Sequence, residues 1–304
     1  MRADSTAWLL DDEHPAVVWR VLVDLIRRPP EAPAVRRARG AASASEPLAT
    51  LLAPLDPGGR WNLPGGAWEY PGGGGWRFVA AVQLGADPED PRLDAAAGRL
   101  VEAEVPRTPG HPCIVARAAE ALAGAGWSNT PVLTELLAWL EEELAEGGGW
   151  RCSEPSHRDE RGRCVVTAAA VLGVLETPGA RRRPSLAIRA REVVLAALGA
   201  GWQGSGGGWP NLLRTDRSEL LLRLAMAGVP WDPRMAAALA GLQSAQDAQG
   251  RWAVEAGAEG RWDDPPQMDR PGQPSRWRTL HALVVLSTYA VAARLPRLFP
   301  ERPA

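Results

Sequence analysis

The stretch Cys164–Gly199, CVVTAAAVLGVLETPGARRRPSLAIRAREVVLAALG, predicts two consecutive helices. The first begins at Cys164, and its residues 165–172 are apolar on every side, which is typical of a helix surrounded by other helices. The second begins at Pro184, and proline is favoured at the first position of a helix. The stretch therefore predicts a helix pair with one buried member.

The same alternation of an apolar helix with a second helix recurs along the chain. Helices of the apolar kind are expected to begin near residues 14, 76, 113, 164, 216 and 277. Helix pairs repeated at about fifty residues either stack as an open solenoid or close into a toroid with one ring of helices inside the other. Because the helices of the first kind are short and apolar almost all round, we expect an all-α, closed (α/α) toroid of five to six helix pairs around a central cavity.

The composition is that of a helical protein without a nucleic-acid surface. Tyr and Phe number only two each, and the β-branched and aromatic runs of strands are missing. The 34 basic residues, all arginine, face 36 acidic ones and give a net charge of -2, which argues against a nucleic-acid partner. We interpret residues 1–304 as a single domain with an N-terminal tail at 1–13 and a C-terminal tail at 295–304.

The sequence predicts a cytoplasmic protein with no integral membrane segment. Its first residues are acidic, with Asp11, Asp12 and Glu13 in place of the basic and apolar regions of a signal peptide. The longest uncharged run, Thr279–Ala293, is shorter than the roughly 18 to 20 apolar residues that span a bilayer. This run is expected to be a buried helix.

The three cysteines of the chain all lie near the starts of two neighbouring apolar helices. Cys113 and Cys164 lie at those starts, while Cys152 and His157 lie in the connection between them. Thiolate and imidazole are preferred zinc ligands, and four of them complete a tetrahedral site. The sequence therefore predicts a Cys3His zinc site, which is structural if all four ligands bind and catalytic if a position stays open. The alternative is a set of buried, inert thiols.

A tryptophan element recurs after the helices of the second kind. The segment 246–252, QDAQGRW, resembles the QW repeat of squalene-hopene cyclases and their relatives, including protein prenyltransferase β subunits. Degenerate copies end at Trp61, Trp150 and Trp209. We expect these tryptophans and Trp252 to pack at the ends of the outer helices.

The resemblance extends over roughly residues 15–293. The segment 272–280, GQPSRWRTL, resembles the closing inner helix of small bacterial prenyltransferase- and squalene-cyclase-like proteins, and Asp216 and the three cysteines are similar to residues of that group. This resemblance implies an (α/α) toroid with a central cavity. The acidic Asp-x-Asp-Asp motif of hopene cyclases is absent, and no evident set of basic residues for a diphosphate lies on the inner face.

Several residues are candidates for work inside the cavity. Asp216 begins an inner helix, where it serves either as a general acid or base or as a helix N-cap in a capping box with Glu219. Aromatic rings bind flat apolar ligands and stabilise cations, so the following residues are candidates for a cavity lining or, alternatively, for the core: Trp68, Tyr70, Trp76 and Trp277.

Two main functions are open at this point. The first is an enzyme that binds a hydrophobic, isoprenoid or polycyclic molecule and catalyses cyclisation, rearrangement or group transfer, with Asp216 and the zinc site as its actors. The second is a non-catalytic ligand-binding or scaffold toroid with a structural zinc. A third, a toroid like the lanthionine cyclases, lacks the Cys-His pair that would support it.

Overall fold

The computed structural model of the chain describes most of the sequence. The chain is mostly helical, with one two-stranded sheet, so the all-α class is confirmed. The described residues are 4–11, 13–46, 48–61, 63, 66–69, 72–103, 105–108, 110–204, 209–254 and 272–293.

Helices of the apolar kind begin within two residues of the predicted starts. We call them the inner helices: α2 (Pro15–Arg20), α5 (Gly74–Gln83), α7 (Pro112–Leu122), α9 (Val165–Leu172), α12 (Arg217–Met226) and α14 (Arg276–Tyr289). Two of them continue into π-helical turns, Val21–Leu25 after α2 and Ala123–Trp127 after α7. Every residue of α9 is buried, as its uniformly apolar sequence predicts.

Helices of the second kind pack against the inner helices, and we call them the outer helices. These outer helices are α3 (Pro33–Ala44), α6 (Pro91–Glu102), α8 (Pro131–Glu142), α11 (Pro184–Gly199) and α13 (Ala236–Ser244). Three short helices complete the set: α1 (Thr6–Leu9), α4 (Leu48–Leu52) and α10 (Pro178–Arg181). α3 ends at Ala44 and α4 begins at Leu48, and the sequence between them contains a proline, which lacks the backbone N–H that a continuous helix needs.

Contacts between inner helices run in chain order. α5 contacts α7, α7 contacts α9, α9 contacts α12 and α12 contacts α14. α14 also contacts α2, so the last inner helix lies against the first. Each outer helix contacts the inner helix that precedes it, as α8 contacts α7 and α11 contacts α9.

One turn geometry recurs at four places between helices. In Asp56–Arg60, Asp159–Arg163 and Asp247–Arg251 the backbone N–H of the aspartate donates to the arginine carbonyl, and the aspartate carboxylate accepts from the arginine N–H. The turn Ala145–Gly149 makes the same backbone bond. The fourth residue of each turn is a glycine with positive φ, a conformation that disfavours other side chains: Gly59, Gly148, Gly162 and Gly250.

Three of these turns lead directly into a tryptophan that closes on the preceding helix. The indole N–H of Trp61, Trp150 and Trp252 donates to the carbonyl ten residues earlier, at 3.1, 2.7 and 2.6 Å. The accepting residues are Leu51 in α4, Leu140 in α8 and Leu242 in α13. Packing at outer-helix ends is therefore confirmed for Trp150 and Trp252, whereas Trp61 packs at the end of the short helix α4.

The two ends of the described chain are tied into the fold. Leu9 of α1 is fully buried, and the hydroxyl of Ser5 donates to the carbonyl of Gly250. The strands β1 (Trp252–Ala253) and β2 (Pro274–Ser275) pair antiparallel just before α14. In the described part of the chain, no helix combines the length and the apolar character that crossing a membrane requires.

Candidate functional site

The structure brings the four predicted metal ligands together. Cys113, Cys152, His157 and Cys164 each offer one ligand atom, and these atoms all lie within 4.8 Å of one another. All four residues are buried, with His157 the most exposed at 7%. The group is a buried Cys3His cluster whose arrangement is suitable for holding a metal ion, and its three thiols form no disulfide.

Two helix N-termini position two of the sulfurs. Cys113 is the second residue of α7, and Cys164 is the N-cap of α9, where its sulfur accepts from the backbone N–H of Thr167 at 3.5 Å. The N-terminal end of a helix carries partial positive charge, which favours a thiolate. Both helices therefore favour the charge state that a metal ligand needs.

The connection between α8 and α9 positions the other two ligands. Its two halves pair through an isolated bridge between Arg151 and Arg163 and through a 2.7 Å bond from the N–H of Cys164 to the carbonyl of Trp150. This pairing places Cys152 beside Cys164. A 3₁₀ turn, Pro155–His157, then returns the chain so that Nδ1 of His157 lies 3.6 Å from the sulfur of Cys152.

Hydrogen bonds from outside the cluster fix this connection. The N–H of Ser153 donates to the carbonyl of Gly110, which joins the connection to the segment before α7. The indole of Trp202 donates to the carbonyl of Arg158 at 2.9 Å. Asp159 and Arg163 form a buried ion pair at 2.6 Å.

The three thiols share hydrogen bonds, and their pKa values diverge as a result. Hydrogen bonds from Cys113 and Cys164 to the Cys152 sulfur lower the pKa of Cys152 well below its usual range. The same contacts raise the pKa of Cys113. Burial raises the pKa of Cys164 to about 12. Cys152 is therefore the first of the three to become a thiolate.

A cavity of about 390 Å³ lies among the inner helices, and we call it the inner cavity. Its lining comes from the ends of the α2 and α9 segments, the C-terminal halves of α5, α7 and α12, and the middle of α14. The lining residues include Arg20, Asp24, Gln83, Glu120, Gly173, Trp209, Leu222, Arg223, Met226, His281 and Val284. A larger cleft of about 950 Å³ lies outside, between α6 and α8. The inner cavity is lined by all six inner segments.

None of the four cluster residues lines the inner cavity. Glu120 of the lining lies seven residues after Cys113 on the same helix, which is about 10 Å along the axis at 1.5 Å per residue. The cluster and the inner cavity are therefore separate sites. The cluster lies at the N-terminal ends of α7 and α9, and the inner cavity lies toward their C-terminal ends.

Asp216 has both carboxylate oxygens engaged. Oδ1 accepts from the backbone N–H of Glu219 at 2.9 Å, so the N-cap alternative is confirmed. Oδ2 accepts from Arg278 at 2.6 Å. Asp216 lines a separate cavity of about 20 Å³, together with Arg278 and His281, and not the inner cavity.

The predicted aromatic lining is distributed differently from the expectation. Trp68 and Trp76 are buried against each other edge to face, with centroids 5.8 Å apart, and Trp277 is 1% exposed. None of these three lines the inner cavity, because each fills the core at the N-terminal end of an inner helix. Tyr70 lies outside the described residues.

Trp209 contributes the indole that does line the inner cavity, so its predicted place at the end of an outer helix is wrong. Its N–H donates to the carbonyl of Gln83 at 3.2 Å, and the side-chain amide of Gln83 donates to the carbonyl of Asn211 at 2.7 Å. The connection 200–216 is long enough to reach α5, which explains the difference. Trp209 also stacks on Trp277 at 5.6 Å and meets His281 edge to face at 4.6 Å.

His281 also lines the inner cavity. Burial, followed by the charges of Arg20, Arg223 and Arg278, lowers the pKa of His281 to about 3. The imidazole is therefore neutral near pH 7. Its position four residues after Trp277, on the same helix face, was the signal available in the sequence.

A buried ion-pair network between α7 and α12 was not anticipated. Arg117, which is fully buried, pairs with Glu120 and with Glu219 at 3.0 Å each. Arg223 pairs with the same two glutamates. Burial opposes ionisation of Glu219, but the two arginines hold its pKa below the usual value. Inner-face arginines are thus present, and carboxylates neutralise them.

Comparisons of the chain with protein-family models, with curated proteins and with solved structures give no match. The function of the chain is therefore inferred from the geometry of the Cys3His cluster and of the inner cavity.

Proposed function

We propose that the chain is a small (α/α) toroid that binds one small organic molecule in its inner cavity and is held together by a structural zinc ion in the Cys3His cluster. Ring closure is supported by the contact of α14 with α2 and by the lining that all six inner segments share. The observation that carries the proposal is the separation of the cluster from the cavity along α7 and α9.

The donor set of the cluster supports zinc. With Zn–S of about 2.3 Å and Zn–N of about 2.0–2.1 Å, tetrahedral geometry requires a sulfur-to-nitrogen distance of about 3.6 Å. The distance from the Cys152 sulfur to Nδ1 of His157 is 3.6 Å. A Cys3His set without a carboxylate is typical of structural zinc sites, and burial of all four ligands leaves no open position for substrate.

The inner cavity supports a binding function. Its volume of about 390 Å³ falls in the roughly 300–1,000 Å³ range of small-molecule pockets, near the lower limit. Valine, leucine and methionine side chains form one wall, and an indole, an imidazole and two ion-paired arginines supply the polar groups. This lining suits an amphiphilic molecule better than a purely hydrocarbon one.

An enzyme of the terpenoid cyclase-like class is the second candidate. The observation that favours it is His281, a neutral imidazole that lines the cavity beside Trp209 and can accept a hydrogen bond from a bound molecule. Asp216 is not a general acid or base in this enzyme, because both of its carboxylate oxygens are hydrogen-bonded outside the inner cavity.

Metal analysis of Cys152→Ala tests the zinc role, with Ser156→Ala, an exposed change in the same connection, as control. We expect about one zinc per chain in the unaltered protein and in the control, and loss of both zinc and thermal stability in Cys152→Ala. Zinc loss without a change in melting temperature would contradict the structural role.

The cavity is tested by filling it. Ala123→Trp introduces an indole at the lining, whereas Ala237→Trp introduces one on the exposed face of α13. Small molecules that co-purify with the native protein are identified by mass spectrometry. We expect Ala237→Trp to retain the molecule and Ala123→Trp to lose it; retention by both variants would contradict binding in the inner cavity.

A further inference from the structure

The charged side chains around the inner cavity differ in how many ion-pair partners they have. Arg223 pairs with both Glu120 and Glu219, so its guanidinium is fully committed. Glu176 is 81% exposed and pairs with Arg181. Arg20 has a single carboxylate partner, Asp24, which it contacts through Nη2 at 2.7 Å.

Arg20 keeps donor capacity at the cavity. A guanidinium has five N–H donors in a planar fork, and in the part of the chain that the structure describes only Nη2 of Arg20 has an acceptor. The guanidinium is held in place over the ring of Trp19, 5.2 Å from its centroid. Nε and Nη1 therefore remain available to an acceptor that enters the cavity.

The pKa of His281 depends on the charged groups that lie near this part of the cavity. The charged groups that lower the pKa of its ring are Arg20, Arg223 and Arg278. Arg223 is paired with Glu120 and Glu219, and Arg278 is paired with Asp216, so Arg20 is the one of the three that keeps unused N–H donors. Glu120 and Asp24 are satisfied by their own arginine partners.

The lining of the inner cavity also contains apolar side chains and a flat aromatic surface. The apolar side chains include Val79, Val82, Leu222, Met226 and Val284. Trp209 stacks on Trp277, and its ring centroid lies 4.6 Å from that of His281 in an edge-to-face contact. The three rings therefore form an aromatic corner at the cavity. Such a corner suits an aromatic or flat apolar group.

We propose that the ligand of the inner cavity is a small organic acid, with a carboxylate that binds Arg20 beside His281 and a flat apolar body that packs against Trp209 and the valine and leucine wall. This inference rests on the proposed function, since it assumes that the inner cavity binds a small molecule. It deepens that function by naming the chemical class of the ligand.

Three probes that share one body and differ in the head group test the inference: 4-butylbenzoate, 4-butylbenzylamine and 4-butylbenzyl alcohol. Their affinities for the full-length protein are measured by isothermal titration calorimetry at pH 7.5. We expect the acid to bind at least tenfold more tightly than the amine and the alcohol, since only the acid forms a hydrogen bond between two charged groups with Arg20.

Variants at one ion pair shift the affinity in opposite directions. Arg20→Gln should weaken binding of the acid about tenfold or more, and Arg20→Lys should restore part of the loss. Asp24→Asn removes the competing carboxylate and should tighten binding of the acid. Arg37→Gln, an exposed change on α3, is the matched control and should leave all three affinities unchanged.

The outcomes distinguish failure of the acid inference from failure of the proposed cavity function. Amine or alcohol affinity equal to or above that of the acid would overturn the acid inference while leaving the cavity function intact. No binding by any probe, or equal binding to Ala123→Trp, would overturn both. If Arg20→Gln is misfolded by circular dichroism, the opposite shift in Asp24→Asn decides.

Discussion

At the scale of single residues, Cys164 belongs both to the start of α9 and to the Cys3His cluster. Its sulfur caps α9 through the N–H of Thr167 and also belongs to the four-ligand group. Cysteine is not a preferred N-cap residue, whereas serine, threonine, aspartate and asparagine are. The use of a thiol at this position is explained by the cluster, and not by the needs of the helix.

His281 makes the stability of the fold depend on pH in the mildly acidic range. Its pKa is about 3 in the fold against 6.5 for an unperturbed histidine, so the unfolded chain binds the proton more readily. The contribution of neutral His281 to the free energy of unfolding is complete above pH 6.5 and is lost as the pH falls from 6.5 toward 3.

We therefore expect His281→Gln to lose less stability than the unaltered protein between pH 6.5 and 4.5. Urea unfolding at a series of pH values measures this. Parallel curves for the two proteins over that range would show that His281 is not held neutral by the fold.

Glu219 is the residue whose charge matters most to the buried network. Removing one partner of a buried ion pair costs about 3–5 kcal/mol, because the remaining charge is left without compensation. Glu219→Gln leaves Arg117 and Arg223 with Glu120 alone. The free energy of unfolding at pH 7 should fall by about that amount.

The matched control is Glu102→Gln, which breaks an exposed pair with Arg99. Exposed pairs contribute roughly 0–1 kcal/mol, so this change should be nearly neutral. Because the pKa of Glu219 is lowered in the fold, its contribution is present above the usual glutamate pKa and is lost at lower pH. Equal losses in the two variants would contradict a buried network.

At the scale of elements, the recurrent turn and its tryptophan fasten the outer helices α8 and α13 and the short helix α4. Trp150 is fully buried and donates to Leu140 of α8, while Trp209 donates across the molecule to Gln83 of α5. The two tryptophans look alike in sequence, since both follow a run of glycines. They differ in where their indole N–H is bound.

Replacing each tryptophan with phenylalanine should separate these roles. Trp150→Phe leaves the Leu140 carbonyl unpaired in the core and should cost about 1–3 kcal/mol of unfolding free energy. Trp209→Phe should cost less stability but weaken binding of 4-butylbenzoate. Chemical denaturation and calorimetry measure the two effects; a larger stability loss in Trp209→Phe would contradict this assignment.

The starts of the inner helices could be predicted because local chemistry marks them. Pro15, Pro112 and Asp216 are start signals that act within one turn, and the uniformly apolar sequence of 165–172 requires burial. The Cys3His cluster was also predictable, because its members lie at or between the starts of consecutive inner helices.

The inner cavity was less predictable, because its lining depends on contacts between distant parts of the chain. Trp209 reaches α5 over 126 positions of sequence, and no local pattern encodes that distance. Arg117 and Glu219 pair over 102 positions in the same way. Local patterns identified the N-terminal ends of the inner helices, while the lining toward the opposite ends followed only from tertiary structure.

At the scale of the whole molecule, the cluster and the cavity occupy opposite ends of the same two helices. A metal ion at the N-termini of α7 and α9 would fix their spacing and the connection between them. The cavity toward the other ends of these helices would then be rigid without contacting the metal. We infer that zinc supports the shape of the cavity, and that the chemistry of the ligand depends on Arg20, Trp209 and His281.

X-ray absorption at the zinc edge, on protein purified without added metal, tests this account most directly. The account predicts one zinc per chain with three sulfur ligands at about 2.3 Å and one nitrogen ligand at about 2.0–2.1 Å. It also predicts an unchanged spectrum when 4-butylbenzoate is added. Absence of zinc, an oxygen ligand in place of a sulfur, or a spectrum that changes with the probe would contradict it.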